Sequence, residues 1–333
     1  MKKHLITEKG KFYKANFHCH STISDGRNTP EEYRDYYKAH GYQILAITDH
    51  ELLVDHSDLS TDDFLMVTGY EYAILEDADY LDAKTVELNL YPLDPHNEKH
   101  ICFNPKNVWH GETWRCDKVE IVGEIYDRKL TIESIQHVID EAHKNGFIVS
   151  LNHPAYSIIT PEFFGQLKGL FAMEIVNQGS FYLSNDYNPQ MYQQMLSMGH
   201  KIGALATDDN HRAEVYDDKV DKRPWGVTMI KAESLTHKDV MEALQSRNYY
   251  ASQGPEIYEL YTENGEIVIS CEEVKTIIMH TKQRHYREKI APVGEFLTEA
   301  RFEIPDDAFV WFEIVDAFGR RANTNAYFKE EFC

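Results

Sequence analysis

The sequence predicts an α/β fold, with a mainly parallel sheet covered by helices, followed by a small all-β unit. Three observations carry this. Apolar strand-like runs alternate with amphipathic helical stretches over residues 12–255, and the polar residues of those runs collect at their carboxyl ends. Beyond residue 256 the pattern changes to alternation at period 2 without helical spacing. At 333 residues the chain is long enough for one large domain and a small one.

The first run, "NFHCHSTISDG", places His18 and His20 on one side of an extended segment, with Asp25 in the turn that follows. Imidazole nitrogen and carboxylate oxygen together suit a borderline divalent metal. Two ordinary histidines on an edge strand are the alternative. Cys19, between them, points to the opposite face and reads as a packing residue.

A helix then starts with Thr29 as N-cap, Pro30 at N1 and Glu32 at N3, and stops at Gly41; Tyr33, Tyr36 and Tyr37 form its core face. "YQILAITDH" is a buried strand ending in Asp49 and His50, and "FLMVTGYEY" reads as one further strand ending near Glu71. "TIESIQHVIDEAHKNG" is an amphipathic helix stopped by Gly146, followed by the strand "FIVSLNHP" ending in His153. "FAMEIVN", a helix near 188–198, and "IGALATDDNH" follow, the last ending in Asp208, Asp209 and His211. "WGVTMI" and the helix "HKDVMEALQSRN" close the unit. In folds of this kind ligands gather at the carboxyl ends of the strands, where the polar residues stand here. Residues 256–333 read as a sandwich, with Trp311, Phe312 and Tyr327 in its core.

Composition excludes several classes. Apolar content of 42% and charged content of 27% are ordinary globular values. A net charge of −21 argues against a nucleic-acid surface, and it would repel an anionic substrate unless bound cations reversed the local sign. The five cysteines, Cys19, Cys102, Cys116, Cys271 and Cys333, form no Cys-x-x-Cys, and no run approaches a membrane span, so a cytoplasmic protein is expected. No Gly-x-Ser-x-Gly and no P-loop is present, which lowers the odds of acyl-enzyme chemistry and of nucleotide-driven work.

Taken together and in order, "HCHSTISDG", "ITDHE", "GYE", "NHP" and "DDNH" resemble the PHP domain (polymerase and histidinol phosphatase family) of metal-dependent phosphoesterases. The resemblance implies a distorted (β/α)7 barrel over residues 12–255 and an accessory β-sandwich over 256–333. It implies two or three divalent ions, Zn, Mn or Fe, held by His18, His20, Asp25, His50, Glu71, His153, Asp209 and His211, with Glu71 bridging and Asp208 the alternative to Asp209. One departure stands out: where family members with three metals usually offer another histidine, this chain presents Glu87, a carboxylate able to ligate a hard metal.

Glu71, His153 and Asp49 are the expected catalytic groups, Asp49 by orienting a ligating imidazole or accepting a proton. Arg27, Arg212 and Arg223 could hold a distal phosphate or be surface arginines, and Glu174 could support the site from behind. The implied activity is hydrolysis of a small phosphorylated metabolite or nucleotide by a metal-activated water, with no membrane or nucleic-acid partner. Hydrolysis of a C–N or other bond on the same site, and a non-catalytic metal-stabilised binding protein, are the alternatives.

Overall fold

The computed structural model describes residues 2–76, 83–125, 128–180, 187–213 and 225–332. Its first part contains β1 (Lys11–Asn16), α1 (Pro30–Ala39), β2 (Ile44–Ile47), β3 (Leu65–Thr68), β4 (Tyr70–Leu75) and β5 (Thr85–Pro92). There follow α2 (Ile132–Lys144), β6 (Phe147–Leu151), β7 (Leu170–Asn177), α3 (Pro189–Ser197), β8 (Gly203–Thr207), β9 (Val227–Ala232), α4 (His237–Gln245) and β10 (Tyr249–Ser252). The start of α1 is the capping box expected: Thr29 Oγ1 accepts from Glu32 N, and Glu32 Oε2 accepts from Thr29 N at 3.0 Å. Tyr33 and Tyr37 are buried beneath it.

The strands form the α/β structure expected, in two main sheets; the distorted (β/α)7 barrel expected is not closed among the described residues. β1, β2 and β3 are parallel, with β9 and then β10 added antiparallel on the other side of β1. A second sheet runs β8-β7-β6-β5-β4, parallel from β8 to β6 and antiparallel from β6 to β4. No ladder closes the two sheets into a ring among the described residues. The physical reason lies in the connections. β3 passes into β4 through Gly69 alone, and β4 and β5 pair antiparallel rather than as successive parallel strands of a barrel. At the other seam, the Thr228 hydroxyl of β9 bonds to Ala206 N and O of β8 in place of a strand ladder.

Gly69 also breaks the single strand expected across Phe64 to Tyr72. A Cβ there would lie 2.8 Å from Cδ1 of the buried Tyr91 ring, so only glycine lets the chain turn this close. Glu71 therefore sits at the start of β4 rather than at the end of a strand.

The C-terminal part comprises β11 (Ile257–Glu263), β12 (Glu266–Val274), β13 (Thr276–Thr281), β14 (Arg287–Ile290), β15 (Leu297–Glu303), β16 (Phe309–Val315) and β17 (Arg321–Thr324). β11, β12 and β15 form one antiparallel sheet and β14, β13, β16 and β17 belong to another, the two sharing an apolar cluster that includes Ile269, Met279 and Phe312. Trp311, Phe312 and Tyr327 are all buried. The expected boundary at 255/256 falls inside one continuous sheet, because β17 pairs with β10. Among the described residues no helix is long and apolar enough to cross a membrane.

Candidate metal centre

The chain leaves β1 extended, and Phe17 to Ser21 is clamped from both sides. On one side His20 N donates to Asn210 O at 2.9 Å and Asp209 N to His18 O at 3.1 Å; on the other, Thr48 N donates to Cys19 O at 2.7 Å. Period 2 then does what the sequence predicts: His18 and His20 face inward with no solvent exposure, while Cys19 packs with Tyr33 and Tyr37 on the opposite face.

Glu71 is brought to the same place because Glu51 N donates to Glu71 O and Glu71 N to Asp49 O, which sets His50 beside it. The Glu71 carboxylate faces four imidazoles. Its Oε1 lies 3.2 Å from His18 Nε2 and 3.4 Å from His153 Nε2; its Oε2 lies 3.3 Å from His20 Nε2 and 3.0 Å from His50 Nδ1. Asp209 Oδ1 stands 3.3 Å and 3.2 Å from the Nε2 atoms of His18 and His20. Glu87 Oε2 is 3.1 Å from His153 Nε2, and Asp25 approaches His20, His50 and His211 at 3.5–3.9 Å.

All nine residues expected as ligands thus come together. Their donor atoms form overlapping groups: His20, Asp25, His50 and His211; His18, His153 and Asp209; His18, His20 and Glu71; and Glu71, Glu87 and His153. Three of the ligands or their neighbours, Glu51, His153 and Asp209, hold positive φ, a backbone state that ordinary residues adopt only where the surroundings impose it.

The residues present fit divalent cations. His20 Nδ1, His153 Nδ1 and Asp209 Oδ1 are buried without a hydrogen-bond partner, and His18 Nε2 faces His20 Nε2 at 3.1 Å, a contact between two imidazole nitrogens that needs a proton or a cation between them. Charge points the same way. Burial disfavours the His18 imidazolium, yet Asp209, Glu71 and Glu174 raise its pKa well above the ordinary value; His50 is pushed up to about 10 against its burial, chiefly by Glu71. Carboxylates that raise the pKa values of His18, His50, His153 and His211 against burial make a site that favours positive charge.

Other expected residues are placed differently. Among the described residues Asp49 makes no hydrogen bond to an imidazole: its carboxylate accepts from Ser21 N and Oγ and from Ser24 N and Oγ, at 2.7–3.1 Å. With its oxygens engaged by those four donors it holds the loop that carries Asp25, which corrects the orienting role expected. Arg27 and Arg212 are exposed and neither lines the cavity over the cluster, while Arg223 lies outside the described residues. Asp209 faces the cluster; Asp208 turns away, accepting from Asn16 Nδ2 and the Tyr37 hydroxyl, and burial pushes its pKa up to about 7.

Behind the cluster, Glu174 takes the supporting position. Its Oε1 accepts from His18 Nδ1 at 2.8 Å and Thr207 Oγ1 at 2.7 Å, and its Oε2 accepts from His153 N at 2.7 Å. Two further contacts escaped the sequence. Asn152 Nδ2 donates to Glu71 Oε1 at 2.7 Å, and Arg128 grips both oxygens of buried Glu51 while stacking 3.5 Å above the Tyr72 ring.

A cavity of about 450 Å³ opens over the cluster. Asp25 and His211 stand at its mouth, 33% and 38% exposed, whereas His18 and Glu71 are enclosed.

No family model matches the chain, and no curated protein matches it. Among solved structures it is similar to a two-domain protein from Bacteroides vulgatus that contains a domain predicted to be a PHP-like metal-dependent phosphoesterase, at 16% identity and TM-score 0.47 over 94% of each chain. A candidate metal-dependent phosphoesterase from Bifidobacterium adolescentis aligns at 16% identity and TM-score 0.40, over 66% of this chain and 93% of that one. An amidohydrolase from Chromobacterium violaceum, with bound sulfate and no metal, aligns at 17% identity and TM-score 0.41, over 59% and 87%. At these scores the functional reading rests on the side-chain geometry.

Proposed function

We propose that the chain is a PHP-type phosphoesterase that hydrolyses a small phosphorylated substrate. The observation that carries this reading is Glu71: each of its oxygens faces a separate pair of imidazoles, the arrangement a carboxylate needs to be shared between adjacent cations. His18, His20, Asp25, His50, His153, Asp209 and His211 complete the donor set, and Glu87 gives the His153 side a hard oxygen donor suited to Mn or Fe. Divalent cations held there would supply Lewis acidity and an activated water at neutral pH.

The chain's own residues supply the rest. Glu174 and Asn152 fix the direction of His18 and Glu71, so the donor atoms are positioned before anything binds. Because Asp25, His50 and His211 are the most exposed members of the donor set, a substrate enters from their side. A protein nucleophile is not required, so neither a Ser nor a Cys need stand in the cavity.

The test is to purify the protein without chelator, count its metals, and assay phosphomonoesters, phosphodiesters and amides with added Mn, Zn or Fe. At least two ions per chain with phosphate release, both lost in His18→Ala, are expected. Amide cleavage without phosphate release would replace this reading with the C–N hydrolase, and bound metal with no turnover at all would favour a binding protein.

A further inference from the structure

We propose that the cavity over the metal centre selects a phosphate monoester whose leaving alcohol is flat and aromatic and carries no second anionic group. This deepens the phosphoesterase reading and rests on it.

The argument starts with Trp109. It lines the cavity yet is 59% exposed, an unusual state for so large an apolar surface. Its indole Nε1 donates to Lys106 O at 3.0 Å, which satisfies the ring's one polar atom and leaves its faces for apolar contact. The segment that carries it is fixed. Gly111, at φ +66, lets the backbone press against the loop of Asp25: a Cβ there would lie 2.1 Å from Ile23 O. Glu112 N donates to Ile23 O at 2.9 Å, and Val108 packs on Ile23, Leu52 and Phe103. The aromatic wall is therefore built onto the same loop as a candidate metal ligand.

Tyr156 adds a second aromatic surface. It is 42% exposed, lines the same cavity, and meets the His153 ring edge-on with centroids 5.3 Å apart. Leu75 and Ala73 extend the apolar lining.

Charge sets the other half of the selection. Among the described residues the lining includes no lysine or arginine. Arg128 is held by both oxygens of Glu51, so it offers no free fork to a second phosphate. The volume of about 450 Å³ suits a phosphoryl group plus one ring system. In the reaction, water adds to phosphorus, the bond from phosphorus to the ester oxygen breaks, and that oxygen leaves with a proton as the aromatic alcohol, giving inorganic phosphate.

The experiment compares kcat/KM of the metal-loaded protein for benzyl phosphate, ethyl phosphate and fructose 1,6-bisphosphate, and calorimetric binding of benzylphosphonate and ethylphosphonate. The two monoesters have leaving alcohols of similar acidity, so a difference reports on the wall. Benzyl phosphate is expected to be preferred over ethyl phosphate by about tenfold, the preference collapsing in Trp109→Ala and returning in Trp109→Phe. Equal kcat/KM for the two monoesters, or faster hydrolysis of the bisphosphate, overturns the inference. If no ester is cleaved but benzylphosphonate still binds more tightly in a Trp109-dependent way, the wall preference stands and the phosphoesterase reading falls. If neither hydrolysis nor discrimination is seen, both fall.

Discussion

His18 Nδ1 donates to Glu174 Oε1 at 2.8 Å, and the other oxygen of that carboxylate accepts from the His153 backbone at 2.7 Å. One buried side chain thus sets the ring of one candidate ligand and the backbone of another. Because His18 Nδ1 is occupied as a donor, its Nε2 is the nitrogen presented to Glu71 and Asp209, and the one that a cation between them would take.

Glu174→Gln keeps the volume and removes the charge that holds this tautomer. Metal affinity is expected to fall about 10- to 100-fold, with the circular dichroism spectrum unchanged. Titration of the metal-free variant with Mn or Zn measures it; affinity equal to that of the parent protein would assign Glu174 a purely structural role.

Much of this centre was legible in the sequence, for a local reason. His18 and His20 are two residues apart on an extended segment, so period 2 alone puts them on one face, whereas Asp209 and His211 follow the end of β8, with Asp209 at positive φ, and were legible only through the resemblance. The capping box of Thr29 and Glu32 is equally local. What could not be read depends on partners far along the chain. Glu51 and Arg128 are 77 residues apart, and nothing near either announces the other. Asp49 misled because a carboxylate beside a ligand histidine looks like its support, whereas the donors it accepts from belong to Ser21 and Ser24, 28 and 25 residues upstream. The division between β3 and β4 was not legible either, because it falls at Gly69, where one residue without a side chain turns a single expected strand into two.

His100 gives a pH dependence independent of the metal centre. Leu53 N donates to its Nε2 and its Nδ1 donates to Glu98 O, both at 3.0 Å, so the ring is held neutral. Burial lowers its pKa to about 4 from the ordinary 6.5, against the pull of the Glu98 carbonyl. Between those values the unfolded chain binds a proton that the folded chain does not. The contribution is therefore complete above pH 6.5 and declines as pH falls towards 4, by at most about 1.4 kcal/mol per pH unit. His100→Gln is expected to be less stable than the parent at pH 7, with the gap narrowing by pH 5. Urea midpoints of both metal-free proteins at the two pH values test this, and a gap that stays constant would mean His100 does not titrate as its burial requires.

Removing residues 256–333 is expected to unfold the remainder rather than leave a working domain. β10 would lose its pairing to β17, and Trp311, which donates to Gln193 Oε1 at 2.7 Å, would leave the main core. Asn325 Oδ1 accepts from Ala204 N at 2.8 Å, and its amide donates to Tyr249 O at 2.9 Å, tying together β8 and β10. Since β8 leads directly into Asp208 and Asp209, the β unit braces the strand that presents a candidate ligand. The milder variant Trp311→Ala should cost about 3–5 kcal/mol of stability by opening a cavity between the two parts. Denaturant melts of the variant and solubility with circular dichroism of the truncation check both. A soluble truncation with native-like spectrum and undiminished metal binding would show instead that the continuous sheet is not a continuous folding unit.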